Sequence, residues 1–243
     1  NRANYKGNPH KKYSQDSVNN FIESIKMKSD TKTYVLNTKE PNIVFILLES
    51  WSADNIESLG GLKGITPNFK NLEKEGLSFK NFYSNGWTSD QGMSSIFSSF
   101  PVIPNADIIN QTDKARKLPS LNKSLPNYHS SYFFGGQLTY GNIKGYLLSQ
   151  GFDIVKDEAY FKHLPSGALG VHDEHMFSHF KEELKDLPEP FISTLFTISS
   201  HSPFDFPAKH ELTFNSKEDK YVNSVAYTDK CLGDFIEIVK DEQ

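Results

Sequence analysis

Cysteine is almost missing from this chain: Cys231 stands alone among 243 residues, so no internal disulfide can form and cysteine usage assigns no compartment. Arginine is nearly as scarce, present only as Arg2 and Arg116 among 26 basic residues. Without that bidentate fork, an anion site must draw on lysine, histidine, backbone N–H groups or a metal. No apolar run approaches the roughly 20 residues that span a bilayer, and no charged-then-apolar leader opens the chain, so the segment reads as soluble. The net charge of −4 gives no electrostatic case for nucleic acid. No internal repeat is visible. What is present is apolar content of 37%, enough for the core of one sizeable domain.

Patterning orders the chain. Residues 1–40 form a polar lead-in arm whose Val18, Phe21, Ile22 and Ile25 predict one short amphipathic helix, and residues 41–243 form the domain proper. A strand over 42–48 reads as buried on both faces, because six consecutive residues from Ile43 are apolar. Thr66-Pro67-Asn68 is a helix start, and 77–83 alternates like a strand. A helix over 93–100 follows the Thr88 turn and is punctuated by Pro101 and Pro104. Helices are further predicted over 118–125, with Pro119 at its start, over 143–150, closed by Gly151, and over 175–187 and 222–239. Strands are predicted over 130–134 and 191–199, with 152–173 irregular. This alternation predicts an α/β fold, a mostly parallel sheet flanked by helices.

Ligands of such sheets gather at the carboxyl ends of the strands. Glu49 sits at one such end, where an acid is costly to bury without a cationic partner, and a metal is a natural one. In Gly86-Trp87-Thr88-Ser89-Asp90-Gln91-Gly92 two hydroxyls stand at a helix start. There a metal can lower a hydroxyl's pKa and helix N–H groups can hold a phosphoryl oxygen. The same position is the ordinary place for a capping Ser or Thr, and both roles stay open. His201, beyond the strand at 191–199, falls at the same edge and suits a substrate phosphate or a leaving oxygen, or simply a solvated loop. Gly135-Gly136-Gln137 follows another strand and permits close backbone approach; Asn142 and Lys144 lie just beyond. His172-Asp173-Glu174-His175 has metal-ligand residue types, yet neighbours in sequence point apart, so it reads as the start of a helix with Asp173 buried at the site. Cys231 reads as a packing residue.

Asn42 to Ser50, the Thr88 turn, Gly135-Gly136 and Ser200-His201-Ser202-Pro203-Phe204 together resemble the sulfatase-like branch of the alkaline phosphatase superfamily, over about residues 40–240. Within it the chain is most similar to the extracellular catalytic domain of lipoteichoic acid synthases and related phosphoglycerol transferases. The resemblance implies Glu49 and Thr88 as ligands of a divalent metal, manganese first and magnesium, zinc or calcium as alternatives. It implies Thr88 as nucleophile, or Ser89 in a register shifted by one. His201, Asn142, Gly136 and Gln137 become substrate contacts for a phospholipid or polyol phosphate. The setting implied is the outer face of a bacterial membrane, with anchoring segments outside this chain.

The chain also departs from that pattern. Phe134, Gly141 and Ile143 stand where lipoteichoic acid synthases carry His, Trp and Arg, and Gln137 where many relatives carry an acid. The phosphoryl-transfer core is therefore implied more firmly than glycerol-phosphate specificity. The family's Asp-His dipeptide of further metal ligands has no counterpart before Gln243, which predicts a catalytic domain incomplete at its C-terminal end and inactive as this fragment. Two rival readings follow. A sulfatase ranks lower, since Thr88-Ser89-Asp90-Gln91-Gly92 lacks the required Pro and Arg; a non-catalytic surface-binding domain is the other.

Overall fold

The computed structural model describes residues 12–25, 34–103, 106–207, 212–213 and 218–241, so Pro104, Gln243 and much of the lead-in arm lie outside the described residues. The chain divides into two units, residues 1–39 and 40–243. In the first, helix α1 (Gln15–Ile25) forms where the apolar spacing predicts it. The Ser14 hydroxyl caps it, accepting from the Ser17 N–H at 3.1 Å.

The second unit is built on a sheet of four parallel strands, β1 (Ile43–Leu47), β2 (His129–Phe134), β3 (Ile154–Lys156) and β4 (Phe191–Phe196), in the order β1-β4-β2-β3. Around it stand α2 (Pro67–Glu75), α3 (Ser89–Ser98), α4 (Thr112–Ala115), α5 (Ile143–Ser149), α6 (Asp173–Lys185) and α7 (Asp219–Asp241). Period-two alternation divides the central strands between two cores. Tyr132, Phe134 and Phe196 face one core with Met93 and Phe97 of α3 and Tyr146 and Leu147 of α5. Phe133 and Leu195 face the other, with Phe177 and Phe180 of α6 and Leu232 and Phe235 of α7. Each such side chain, fully buried, contributes about 1.5–3 kcal/mol. Cys231 lies in this second core, where burial pushes its thiol pKa up, as fits a packing residue.

Helix α2 begins at Pro67 as expected, but the Thr66 hydroxyl does not cap it and donates instead to Asn55 O at 2.9 Å. The cap comes from α7. Asp229 accepts from the Asn68 and Phe69 N–H groups at 2.9 and 2.8 Å. At the amino end of the sheet, Asn42 Oδ1 accepts from Phe191 N and Asn42 Nδ2 donates to Glu189 Oε1, while His129 N donates to Pro190 O.

Four expectations need correction. Strand β1 is an edge strand rather than one buried on both faces, and Val44 remains 40% exposed. Residues 77–83 are not a strand: alternation alone makes no ladder, and no strand among the described residues pairs with them. The helix expected over 118–125 shrinks to a 3-10 turn at Asn122–Ser124. Its polar groups bond elsewhere, Leu121 N to Phe97 O at 2.9 Å and the Ser120 hydroxyl to Gln150 O at 2.5 Å. Finally, 152–173 contains β3, three residues too short to show a period.

Candidate functional site

Parallel strands bring their carboxyl ends to one rim, and the register aligns Leu47, Phe134 and Phe196 there. Glu49 follows β1 by two residues. Its N–H donates to the Thr197 hydroxyl oxygen at 2.9 Å, and its carbonyl accepts from the Ser200 hydroxyl at 2.6 Å. Both partners lie in the segment leaving β4, so the backbone of Glu49 is fastened to its neighbour strand. Ser50 takes a left-handed backbone (φ 58°), and its carbonyl accepts from the Tyr221 hydroxyl of α7 at 2.5 Å.

The Glu49 carboxylate accepts two hydroxyl bonds, from Ser50 at 3.1 Å and from Ser89 at 2.9 Å. Neither partner carries charge, and among the described residues no Lys, Arg or His pairs with Glu49. The negative charge is felt nearby: burial first, and then Glu49, push the Tyr132 hydroxyl pKa well up. An uncompensated carboxylate beside hydroxyl oxygens is the hard-oxygen setting that magnesium, manganese or calcium prefer. These residues fit a divalent cation as part of a shell. No group of three His, Cys, Asp or Glu among the described residues completes one.

Thr88 occupies the N-cap position of α3 with extended backbone, yet its side chain makes no capping hydrogen bond and is exposed. The Gln91 side chain reaches back past Thr88 and accepts from Trp87 N, a donor outside the helix, at 2.8 Å, while Trp87 itself is 99% exposed. Of the two hydroxyls at this helix start, the one hydrogen-bonded to Glu49 is that of Ser89.

His201 stands at the same rim, beyond β4. Its N–H donates to Ile198 O at 2.9 Å and its Nδ1 lies 2.7 Å from Ser202 O. Since that oxygen only accepts, Nδ1 is the donor in this contact. Beneath this loop sits Asp173, 0% exposed, accepting from Ile198 N at 2.8 Å, Ser199 N at 3.3 Å and the Thr228 hydroxyl at 2.6 Å. Burial pushes its carboxyl pKa up against these bonds. Asp173 is thus a structural clamp at the start of α6. The neighbouring His172, Glu174 and His175 assemble no metal site with it.

Asn142, Lys144, Gly135 and Gly136 contact atoms of the chain itself. Asn142 adopts a left-handed backbone (φ 58°) and its Nδ2 donates to Ile109 O at 3.0 Å. Lys144 pairs with Asp157 at 3.0 Å. A Cβ on Gly135 would meet Val171 O at 2.6 Å, and one on buried Gly136 would meet Ile198 Cδ1 at 2.5 Å, so the close approach these glycines allow is made by the protein itself. Gln137 is exposed beside them. Sequence reasoning placed Asp173 at the site but missed Thr197, Ser200 and Tyr221 among its fastenings. The hydroxyl run Thr197-Ile198-Ser199-Ser200 directly after an apolar strand was the available signal.

Comparison with known proteins follows the same lines. The profile of the Sulfatase family matches residues 41–243. The lipoteichoic acid synthase-like protein YvgJ of Bacillus subtilis (strain 168) is 30% identical over 238 residues, covering 93% of this chain and 38% of that protein. A solved protein of the alkaline phosphatase superfamily from Vibrio parahaemolyticus is 30% identical with a TM-score of 0.76, over 84% of this chain and 51% of that one. The lipoteichoic acid synthase LtaP of Listeria monocytogenes shares the fold at 24% identity and a TM-score of 0.73, over 84% of this chain and 53% of that one. The chain spans well under half the length of the curated relative and about half of each solved chain. Among the described residues no helix is long and apolar enough to cross a membrane.

Proposed function

The chain belongs to the Sulfatase family, and from that premise we propose that the full-length protein is a metal-dependent phosphoryl-group transferase or phosphoester hydrolase. It acts through Thr88 on a lipid or polyol head group at the outer face of a bacterial membrane. The observation that carries this reading is the Glu49 carboxylate, charged and without a cation partner among the described residues, at a strand end beside the hydroxyl-bearing start of α3. The uncapped, exposed Thr88 hydroxyl supports assigning the nucleophile there and leaves Ser89 to orient Glu49.

Glu49 and Thr88 would hold a divalent cation, manganese in the first instance. When bound, such a cation supplies Lewis-acid polarisation and lowers the pKa of a hydroxyl. The start of α3 favours negative charge and holds a phosphoryl oxygen. Thr88 Oγ1 gives up its proton and attacks phosphorus, the bond from phosphorus to the leaving oxygen breaks, and that oxygen departs with one proton taken up in exchange, His201 contacting the departing group. An acceptor hydroxyl, or water, then releases the phosphoryl group from Thr88. Asp173, Thr197 and Ser200 keep His201 and Glu49 in place during both steps.

The test is a pair of substitutions in the full-length protein with manganese, assayed on a phosphoglycerol lipid and on a generic phosphodiester. Thr88→Ala should abolish turnover of both, and Ser89→Ala should retain substantial activity. Activity retained in Thr88→Ala and lost in Ser89→Ala moves the nucleophile to Ser89. Activity in both ends the covalent mechanism.

A further inference from the structure

Among the described residues, four that are not glycine take a left-handed backbone: Ser50 (φ 58°), Ser99, Asn142 and Phe204 (φ 59°). Ser99 closes α3, an ordinary place for that conformation, and asparagine tolerates it better than most residues. Ser50 and Phe204 have neither reason. Such a residue is disfavoured by itself and persists only where its surroundings hold it, a condition that gathers at functional sites. These two belong to the two loops of the rim, one leaving β1 through Glu49 and the other leaving β4 through His201. One side chain touches both. The Tyr221 ring lies 5.3 Å from the Phe204 ring, and the Tyr221 hydroxyl meets the Ser50 carbonyl at 2.5 Å.

Tyr221 stands in the first turn of α7 and packs against the cluster of Ile65, Val222 and Val225. A carbonyl oxygen only accepts, so the hydroxyl hydrogen goes to Ser50 O. The hydroxyl oxygen accepts in turn from Asn55 Nδ2 at 2.8 Å, and Asn55 is 1% exposed, so a buried amide orients the hydroxyl toward Ser50. The left-handed turn at Ser50 acts one bond further on. Ser50 Oγ donates to Glu49 Oε1 at 3.1 Å, while Ser89 Oγ donates to Oε2 at 2.9 Å. With one hydrogen on each oxygen, the plane of the carboxylate is fixed, and each oxygen keeps a second lone pair for a cation. Were Ser50 to relax to extended or right-handed backbone, its hydroxyl would swing away from Oε1 and free the carboxylate to turn. Hydrogen bonds of this kind to a ligating carboxylate govern metal affinity. Resting on the metal-dependent reading of this rim, we infer that Tyr221 is a positioning residue for Glu49, acting through the left-handed backbone and the hydroxyl of Ser50.

Manganese titration of the full-length protein by calorimetry tests this, with thermal melts to show which variants fold. Tyr221→Phe keeps the ring against Phe204 and removes only the hydroxyl; it should weaken manganese binding about fivefold. Ser50→Ala leaves the carbonyl that Tyr221 holds and should weaken binding about tenfold. Because both act along one path, the double variant should match Ser50→Ala alone rather than reach the roughly fiftyfold product of independent effects. A tyrosine that merely stabilises α7 lowers the melting temperature without that non-additivity. Unchanged affinity in a folded Tyr221→Phe overturns the inference, and so does the full product in the double variant. If Tyr221→Phe fails to fold, Ser50→Ala decides: unchanged affinity there overturns the path and a tenfold loss supports it. Glu49→Gln is the reference. Unchanged affinity in Glu49→Gln ends the metal-dependent reading itself, whereas a loss there beside an unaffected Tyr221→Phe ends only the role of Tyr221.

Discussion

Replacing Asp173 by alanine strips three donors of their acceptor at once: Ile198 N–H, Ser199 N–H and the Thr228 hydroxyl. An orphaned buried donor costs about 1–3 kcal/mol. The Ser199 bond is long, the Thr228 hydroxyl can turn, and water can enter the space vacated, so the losses do not sum in full. A destabilisation of about 3–5 kcal/mol is expected, which lowers the melting temperature by about 6–20 °C for a chain of this size. Asp173→Asn isolates the charge. The amide oxygen still accepts from Ile198 N, and its NH₂ can donate to a reoriented Thr228, so the cost should stay below about 1.5 kcal/mol. The pH dependence has a definite sign. Burial raises the folded-state pKa of Asp173 above its ordinary value of 3.8, so the folded protein binds this proton more tightly than the unfolded one. Its contribution to stability is full below the unfolded pKa and is lost as pH rises through the folded one. The difference between wild type and Asp173→Asn should therefore shift in favour of wild type as pH is lowered toward about 3.9. Urea melts of the three proteins over that range measure it. An alanine variant within about 1 kcal/mol of wild type, or an asparagine variant as damaged as the alanine one, refutes the clamp.

Glu49→Gln should weaken manganese binding at least tenfold in calorimetric titration of the full-length protein, and unchanged affinity would remove Glu49 from the metal shell. Asp229→Ala uncaps α2 from a distance and should cost about 2 kcal/mol, read as a melting temperature lower by about 4–8 °C; no change would mean that water replaces the cap. Thr194→Val should stabilise the protein by about 1 kcal/mol, because its hydroxyl is buried in β4 without a partner. A loss of stability there would reveal a hydrogen bond that the hydroxyl does make.

The sheet was legible wherever strands were long and apolar. Residues 130–134 and 191–199 announced β2 and β4, and the turn residues between them announced helices. A pattern of side chains records which face is oily but not whether a neighbour exists, which is why 77–83 looked like a strand and β1 looked central. Glu49 and His201 could be grouped because strand ends in a parallel sheet share a rim, whereas the Thr88 turn follows no strand and reaches Glu49 through Ser89 at the start of α3. Their fastenings could not. Thr197 meets Glu49 only through the β1–β4 register, and Asp173 meets Ile198 only after α6 has folded back, and neither pairing leaves a trace in local spacing. The double glycine was noticed as a place of close approach, and the atoms that approach it include Val171 O and Ile198 Cδ1, contacts that no local spacing records.

The two ends of the sheet are unlike in how they are tied. At the amino end, Asn42 spans from β1 to Glu189 and Phe191, and His129 bonds Pro190, so three strands are joined by backbone and amide contacts far from any reacting group. That arrangement makes the molecule modular. Segments 49–52, 135–142 and 197–205, exchanged between relatives together with the Val171, Asp173 and Tyr221 that fasten them, would leave the ladder beneath Leu47, Phe134 and Phe196 in register. Chimeras of that design would inherit their selectivity from the donor and their foldedness from the recipient. The knot around Asn42 offers a surface where a probe or tether could be attached without disturbing either.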